Sequence, residues 1–199
     1  MKFLRNHWFH IGFVVAILFS TYLLSGLNQL SSFRILISIS FVGLLLHQFE
    51  EYVLPGHFPR MINTVMFHSK TPNRYPLNPN TALIINVLLG WLLYILAIIF
   101  ADHAVWLAVT SIMISIGNVV AHTFLFNIKG KTLYNPGMAT ALGIFLPTTI
   151  IFFQFVIQTN LLDVNNFIIG LVLGIILNYF GVLKMITLLG KKNTPYHFK

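Results

Sequence analysis

The sequence predicts an all-α integral membrane protein, a single bundle of six transmembrane helices over residues 1–199. Hydrophobic residues make up 57% of the chain and charged residues only 8%, and the mean hydropathy of +0.82 lies outside the range of water-soluble domains. Six apolar stretches also reach the length of about 20 residues that crosses a bilayer as a helix. The residues outside these stretches are too few for a separate soluble domain.

The predicted spans, in chain order, are residues 8–27, 33–54, 81–100, 104–126, 137–158 and 165–189. The first has a long apolar run without a small-residue cleavage pattern, which favours a retained helix over a signal peptide. The second ends before the helix stop Pro55-Gly56, the third and fourth are uninterrupted apolar runs, and the fifth begins at the turn Tyr134-Asn135-Pro136-Gly137. The sixth contains Gly170 and Gly174, a spacing that lets helices approach closely. We expect this face to pack within the chain, with an oligomer interface as the alternative.

The charge distribution predicts the orientation of the bundle. If the helices alternate, one side holds Arg34, Asp102 and Asp163, and the other holds most of the basic residues, namely Lys2, Arg5, Arg60, Lys70, Arg74, Lys129, Lys131, Lys191, Lys192 and Lys199. The positive-inside rule then places both termini and the loop 55–80 in the cytoplasm, as in a multi-pass protein of the cell membrane. The net charge of +8 is explained by basic loops beside anionic membrane lipids, so we expect no nucleic-acid partner.

Two of the four acidic residues of the chain, Glu50 and Glu51, are adjacent near the cytoplasmic end of the second span. His47 precedes them by three and four residues, so all three side chains lie on one side of the helix. Ionisable groups at this depth are costly to expose to lipid and should point into the bundle. The alternative is that the glutamates simply reach the membrane interface and that the histidine packs.

Other polar residues are predicted to lie in the same layer. His122 and Asn118 are four residues apart on the fourth span, while Asn86 and Thr140 reach a similar depth on the third and fifth. Tyr134 lies at the start of the fifth span, where its hydroxyl can meet a carboxylate or a substrate; the alternative is an ordinary tyrosine of the membrane interface. The zero cysteine count leaves only imidazole and carboxylate ligands for a metal.

These residues suggest a divalent metal site for zinc, iron or manganese with the ligands His47, Glu50, Glu51 and His122. The leading hypothesis is a metal-dependent enzyme acting on a lipid or another amphiphile, either a hydrolase or an oxygen-using iron enzyme. In it Glu50, Glu51 and Tyr134 take part in catalysis, while Asn86, Asn118 and Thr140 contact the substrate or support the ligands. The alternatives are a proton-coupled transporter in which the same carboxylates titrate, and a non-catalytic module that binds a lipid or a partner.

The string His47-Gln48-Phe49-Glu50-Glu51 resembles the motif that names the HXXEE family, a group of small multi-pass membrane proteins without an established biochemical function. Further strings that resemble the family pattern are Pro55-Gly56-His57-Phe58-Pro59, Tyr75-Pro76-Leu77-Asn78, Asn118-x-x-x-His122 and Tyr134-Asn135-Pro136-Gly137. The resemblance extends over roughly residues 41–150. It implies a membrane protein but no activity, so the chemistry rests on the residues themselves.

Overall fold

The computed structural model describes residues 2–26 and 29–198, which form seven helices and, within those ranges, no strand. The helices are α1 (Lys2–Ser25), α2 (Ser32–Tyr52), α3 (Phe58–Val65), α4 (Pro79–Ile99), α5 (Val105–Gly130), α6 (Met138–Gln158) and α7 (Val164–Leu189). All except α3 are long and apolar enough to cross a membrane. The all-α class and the six candidate spans are therefore confirmed, and they are consistent with a multi-pass membrane protein. The side on which the termini lie stays a prediction.

The helix boundaries differ from the sequence prediction mainly at the basic end of the bundle. Helix α1 begins at Lys2 rather than at residue 8, and α5 continues to Gly130 rather than ending at residue 126. The predicted end of the first span, Leu27, lies outside the described residues, as does Lys199. The short helix α3 was not predicted, because its eight residues include a proline and an arginine.

Helices α2 and α5 form the centre of the bundle. Helix α2 contacts α1, α4, α5 and α6, while α5 also packs against α4, α6 and α7. Apolar clusters fill the space between them along the bundle axis: one contains Ile37 and Phe152, the next Leu45 and Phe145, and the last Phe126. Polar residues between the second and third clusters are consequently shielded from water.

The glycines of α7 pack against α5 of the same chain. A Cβ atom at Gly170 would lie 2.4 Å from Cβ of Val109, and one at Gly174 would lie 2.2 Å from Cβ of Met113. Only glycine fits at this distance, so the two backbones are in close contact. An oligomer through this face would require that contact to open.

Four helices widen where they pass the layer of polar residues. The π-helical stretches are Ile84–Trp91 in α4, Ala121–Leu125 in α5, Ala141–Phe145 in α6 and Leu177–Lys184 in α7. Such turns are rare and shift the direction of the following side chains relative to a regular α-helix. Asn86, His122 and Asn178 lie within them, so the departure from regular helix coincides with the polar layer.

The loop after α2 is fixed by side-chain hydrogen bonds. Gly56 and His57 both adopt positive φ, which turns the chain away from α2. The buried side chain of Asn63 in α3 then donates to the carbonyls of Pro72 (2.7 Å) and Leu77 (2.8 Å) and accepts from the Leu77 amide (2.8 Å). This loop closes the basic end of the bundle over the polar layer.

Candidate metal site

Three buried side chains from α2 and α5 converge on one point between the apolar clusters. Nε2 of His47 lies 3.6 Å and Nε2 of His122 lies 3.4 Å from Oε1 of Glu51. One ligand atom from each of the three residues lies within 4.8 Å of the other two, so this group could hold a metal ion. The spacing of His47 and Glu51, one helical turn apart, places them on one face of α2.

The hydrogen-bond network around His47 assigns its tautomer. Its Nδ1 lies 2.9 Å from Oγ1 of Thr140. That hydroxyl donates its proton to the Glu50 carboxylate over 2.5 Å, so it can only accept from His47. Nδ1 therefore carries a proton, and in the neutral ring Nε2 presents a lone pair toward Glu51.

The same reasoning assigns the tautomer of His122. Its Nδ1 lies 2.6 Å from Oδ1 of Asn135. The amide nitrogen of Asn135 donates to the His122 carbonyl and to Oδ1 of Asn127, both over 2.7 Å, which fixes Oδ1 as the atom that accepts from the ring. In its neutral form, His122 accordingly also presents the lone pair of Nε2 toward Glu51.

Two lone pairs and a carboxylate oxygen facing one another repel unless a positive charge lies between them. Nε2 of His47 is buried without a hydrogen-bond partner among the described residues, which is uncommon for a polar atom. Two ligands about 2.1 Å from a tetrahedral metal are about 3.4 Å apart, close to both observed separations from Glu51. The donor set thus fits a divalent cation.

Glu50 faces away from this group and binds the start of α6. Its Oε1 accepts from the Tyr134 hydroxyl (2.8 Å) and the Ala139 amide (3.0 Å). Its Oε2 accepts from the amide (2.8 Å) and the hydroxyl of Thr140. The first amides of a helix have no partner within it and favour a negative charge, so Glu50 joins α2 to α6. Glu50, which the sequence suggested as a further metal ligand, is not among the three residues that converge.

Tyr134 lies in the loop before α6, outside the spans, and its side chain is half exposed. Partial burial and the hydrogen bond to the Glu50 carboxylate raise the pKa of Tyr134 to about 12. The hydroxyl consequently keeps its proton at neutral pH and donates it to Glu50. The structure thus shows the expected contact with a carboxylate, and a catalytic role for Tyr134 stays a prediction.

Gly137 makes the approach of the two imidazoles possible. It adopts φ +101°, and a Cβ atom there would lie 2.3 Å from Cε1 of His122 and 2.8 Å from Cε1 of His47. Both the backbone conformation and the space therefore require glycine. The turn Tyr134–Gly137 is thus part of the site, since Asn135 orients one ring and Gly137 contacts both.

A cavity of about 490 Å³ opens beside the three converging residues. Its walls are mainly apolar, with polar groups from Asn86, Asn118 and Asn178. The cavity reaches the outer surface beside α7, where two of its lining residues, Ile175 and Tyr179, are exposed. Because α7 is a candidate span, this opening would face lipid.

One wall of the cavity carries a hydrogen-bonded chain of amides. Gln48 is buried, accepts from the Trp91 indole (2.7 Å) and donates to Oδ1 of Asn86 (3.1 Å). Asn86 in turn donates to the hydroxyl of Tyr52 (3.3 Å). Asn86 is therefore held by neighbouring side chains and presents a fixed polar edge to the cavity.

The structure brings together most residues singled out from the sequence. His47, Glu51 and His122 form the centre, Thr140 bonds His47, and Asn86 and Asn118 line the cavity. Asn118 donates to the Ile114 carbonyl of its own helix. Sequence reasoning missed Gln48, Asn135 and Gly137, although all three lie inside the strings that carry the family resemblance. Their presence in those strings was the signal that could have found them.

Comparison with known proteins identifies one family. The model of a family described as a protein of unknown function with an HXXEE motif matches residues 38–152, more than half of the chain. The match includes most of α2, all of α3, α4 and α5, and most of α6, and with them every residue of the converging group. Neither the curated proteins nor the solved structures compared with the chain give a significant match.

Proposed function

The chain belongs to the HXXEE family of proteins of unknown function, and we propose from the geometry of its site that it is a metal-dependent membrane enzyme acting on a lipid or another amphiphile. His47, Glu51 and His122 are the proposed ligands. The observation that supports this most directly is the convergence of two imidazole Nε2 atoms on one carboxylate oxygen in a buried site.

The surroundings of the two histidines match those of metal ligands. Metal-bound imidazoles usually donate their second ring N–H to a neighbouring acceptor, which fixes the ring and raises its basicity. Thr140 and Asn135 supply these acceptors here. Two imidazoles and one carboxylate suit zinc, or iron with open coordination positions. Manganese remains the third candidate.

The cavity supports an amphiphilic substrate. Its volume of about 490 Å³ lies in the usual range of ligand pockets, and its apolar walls suit a hydrocarbon chain. Asn86 and Asn118 offer amide groups to a polar head near the metal site. The opening beside α7 would let such a molecule enter from the bilayer.

A bound metal would supply the chemistry by polarising a substrate carbonyl or phosphoryl oxygen, or by activating water or dioxygen. The chain's own residues provide the rest. Thr140 and Asn135 hold the imidazoles, Glu50 holds the start of α6 against α2, and the apolar clusters exclude bulk water. Zinc in the site would indicate hydrolysis, whereas iron would indicate an oxygen-using reaction.

Elemental analysis of the purified protein tests this function. We expect about one zinc, iron or manganese per chain after metal-replete purification. In His47→Ala we expect metal affinity to fall by more than about a hundredfold, because removing a ligand costs more than the 10–100-fold of a residue that only supports one. His103→Ala is the matched control, since this exposed histidine lies in the loop between α4 and α5.

Absence of stoichiometric metal from the native protein would contradict the proposal. A proton shared by the three groups would then be needed to relieve their repulsion, as the transporter hypothesis predicts. Proton flux in vesicles that disappears in His47→Ala would identify that case. If neither bound metal nor proton flux is detected, the remaining alternative is a non-catalytic binding module.

A further inference from the structure

A second concave site lies at the basic end of the bundle, apart from the proposed metal site. It has a volume of about 830 Å³ and is lined by residues from distant parts of the chain: the start of α1, the segment from Tyr52 to Arg60, the loop before α4 and the C-terminal segment Pro195–Phe198. We call it the basic pocket. Its volume accommodates one small ligand or one lipid headgroup.

The basic pocket carries positive charge, and among the residues that the structure describes no carboxylate side chain lines it. Six of its lining residues are basic or imidazole side chains, namely Lys2, Arg5, His7, His57, Arg60 and His197. Of the four acidic residues in the chain, Glu50 and Glu51 face the interior, while Asp102 and Asp163 lie at the opposite end of the helices. Within the described ranges, the lysine and arginine side chains form a single ion pair with a carboxylate, between Arg34 and Asp102.

The wall of the pocket is held in place by specific contacts. The guanidinium carbon of Arg5 lies 3.6 Å from the centroid of the Tyr196 ring, and its Nε donates to Oδ1 of Asn80 over 3.4 Å. The amide of Phe198 donates to the Asn73 carbonyl (2.8 Å). Arg5 is thus oriented by groups that leave its charge unneutralised, and the C-terminal segment is fixed beside it.

We propose that the basic pocket binds a phosphate group. An arginine guanidinium matches phosphate through paired N–H donors, and three permanent cations in one concave site suit a group with up to two negative charges. The phosphate can come from the headgroup of an anionic phospholipid or from a soluble compound. Basic loops are attracted to an anionic membrane whether or not they form a pocket. The proposed phosphate binding depends on the cations of the pocket in particular, and this difference makes the proposal testable.

The experiment compares two double variants with the same change in net charge. Arg5→Gln/Arg60→Gln removes cations from the pocket, and Lys129→Gln/Lys191→Gln removes exposed cations from the same end of the bundle outside the pocket. Retention of phosphatidic acid is measured by native mass spectrometry from nanodiscs of phosphatidylcholine doped with phosphatidic acid. Thermal unfolding in inorganic phosphate, against chloride at equal ionic strength, tests the soluble source.

We expect the native protein to retain about one phosphatidic acid per chain. Retention should fall by about tenfold or more in the pocket variant and should not fall comparably in the control. A shift of the unfolding temperature by inorganic phosphate without lipid retention would assign the site to a soluble phosphate. Arg60→Gln alone, at an exposed side chain, repeats the test if Arg5→Gln disturbs folding. Equal losses in both variants, or no preference for phosphate in either arm, would overturn the proposal. Metal content is measured in parallel and should not change, which separates this result from that of the metal site.

Discussion

At the residue scale, the adjacent glutamates of α2 have different partners. Oε1 of Glu51 faces the Nε2 atoms of two imidazoles, whereas both oxygens of Glu50 accept from donors at the start of α6 and in the loop before it. One side chain therefore fits ligation and the other fits positioning. The sequence predicted that the paired carboxylates belong to a site. Their different roles were not predictable, because they depend on where the start of α6 lies against α2.

Replacing each glutamate by glutamine should give opposite results. Glu50→Gln places an amide N–H₂ group among donors that need an acceptor, and we expect it to lower the free energy of unfolding by about 2 kcal/mol while folded protein keeps its metal. Glu51→Gln removes a ligand charge, yet its amide can donate to an imidazole Nε2. We expect a loss of metal with little loss of stability.

Chemical unfolding in detergent and metal content, measured on the same preparations, check this pair. Each variant serves as the control of the other, since both remove one carboxylate from neighbouring positions. Identical effects of the two substitutions on metal content and on stability would show that the two glutamates do not have different roles.

At the element scale, the spans were predictable because each contains a long uninterrupted apolar run. The short helix α3 and the π-helical stretches were not, since their stability depends on tertiary contacts such as those of Asn63 rather than on a local pattern. The same holds for the turn before α6. Its string suggested a helix start, but only the packed structure shows that Asn135 and Gly137 contact the histidines.

Gly137 provides a test of this turn. A Cβ atom there would collide with both imidazoles, so Gly137→Ala should displace them and reduce metal content at least tenfold, the lower end of the effect of perturbing a supporting residue. The matched control is Gly143→Ala in α6, where a Cβ atom would meet nothing within 4 Å. Metal analysis and circular dichroism of both variants check the result. Normal metal content in Gly137→Ala would mean that the rings do not need this close approach.

At the scale of the whole molecule, the proposed metal site and the basic pocket lie toward the same end of the bundle. Tyr52 lines both, so the two sites are separated by the side chain that follows Glu51. The end opposite carries the ion pair of Arg34 and Asp102. The orientation of the bundle therefore decides which compartment supplies the phosphate group to the basic pocket.

The sequence allows a direct test of that orientation, because it contains no cysteine. His103→Cys, in the loop between α4 and α5, and Lys192→Cys, after α7, introduce single thiols at exposed positions on opposite ends. By the positive-inside rule, a membrane-impermeant maleimide should label His103→Cys on intact cells, and Lys192→Cys only after permeabilisation. The cysteine-free protein is the background control. The reverse pattern would place the basic end outside the cell, and the phosphate would then have to come from the outer leaflet or from the external solution.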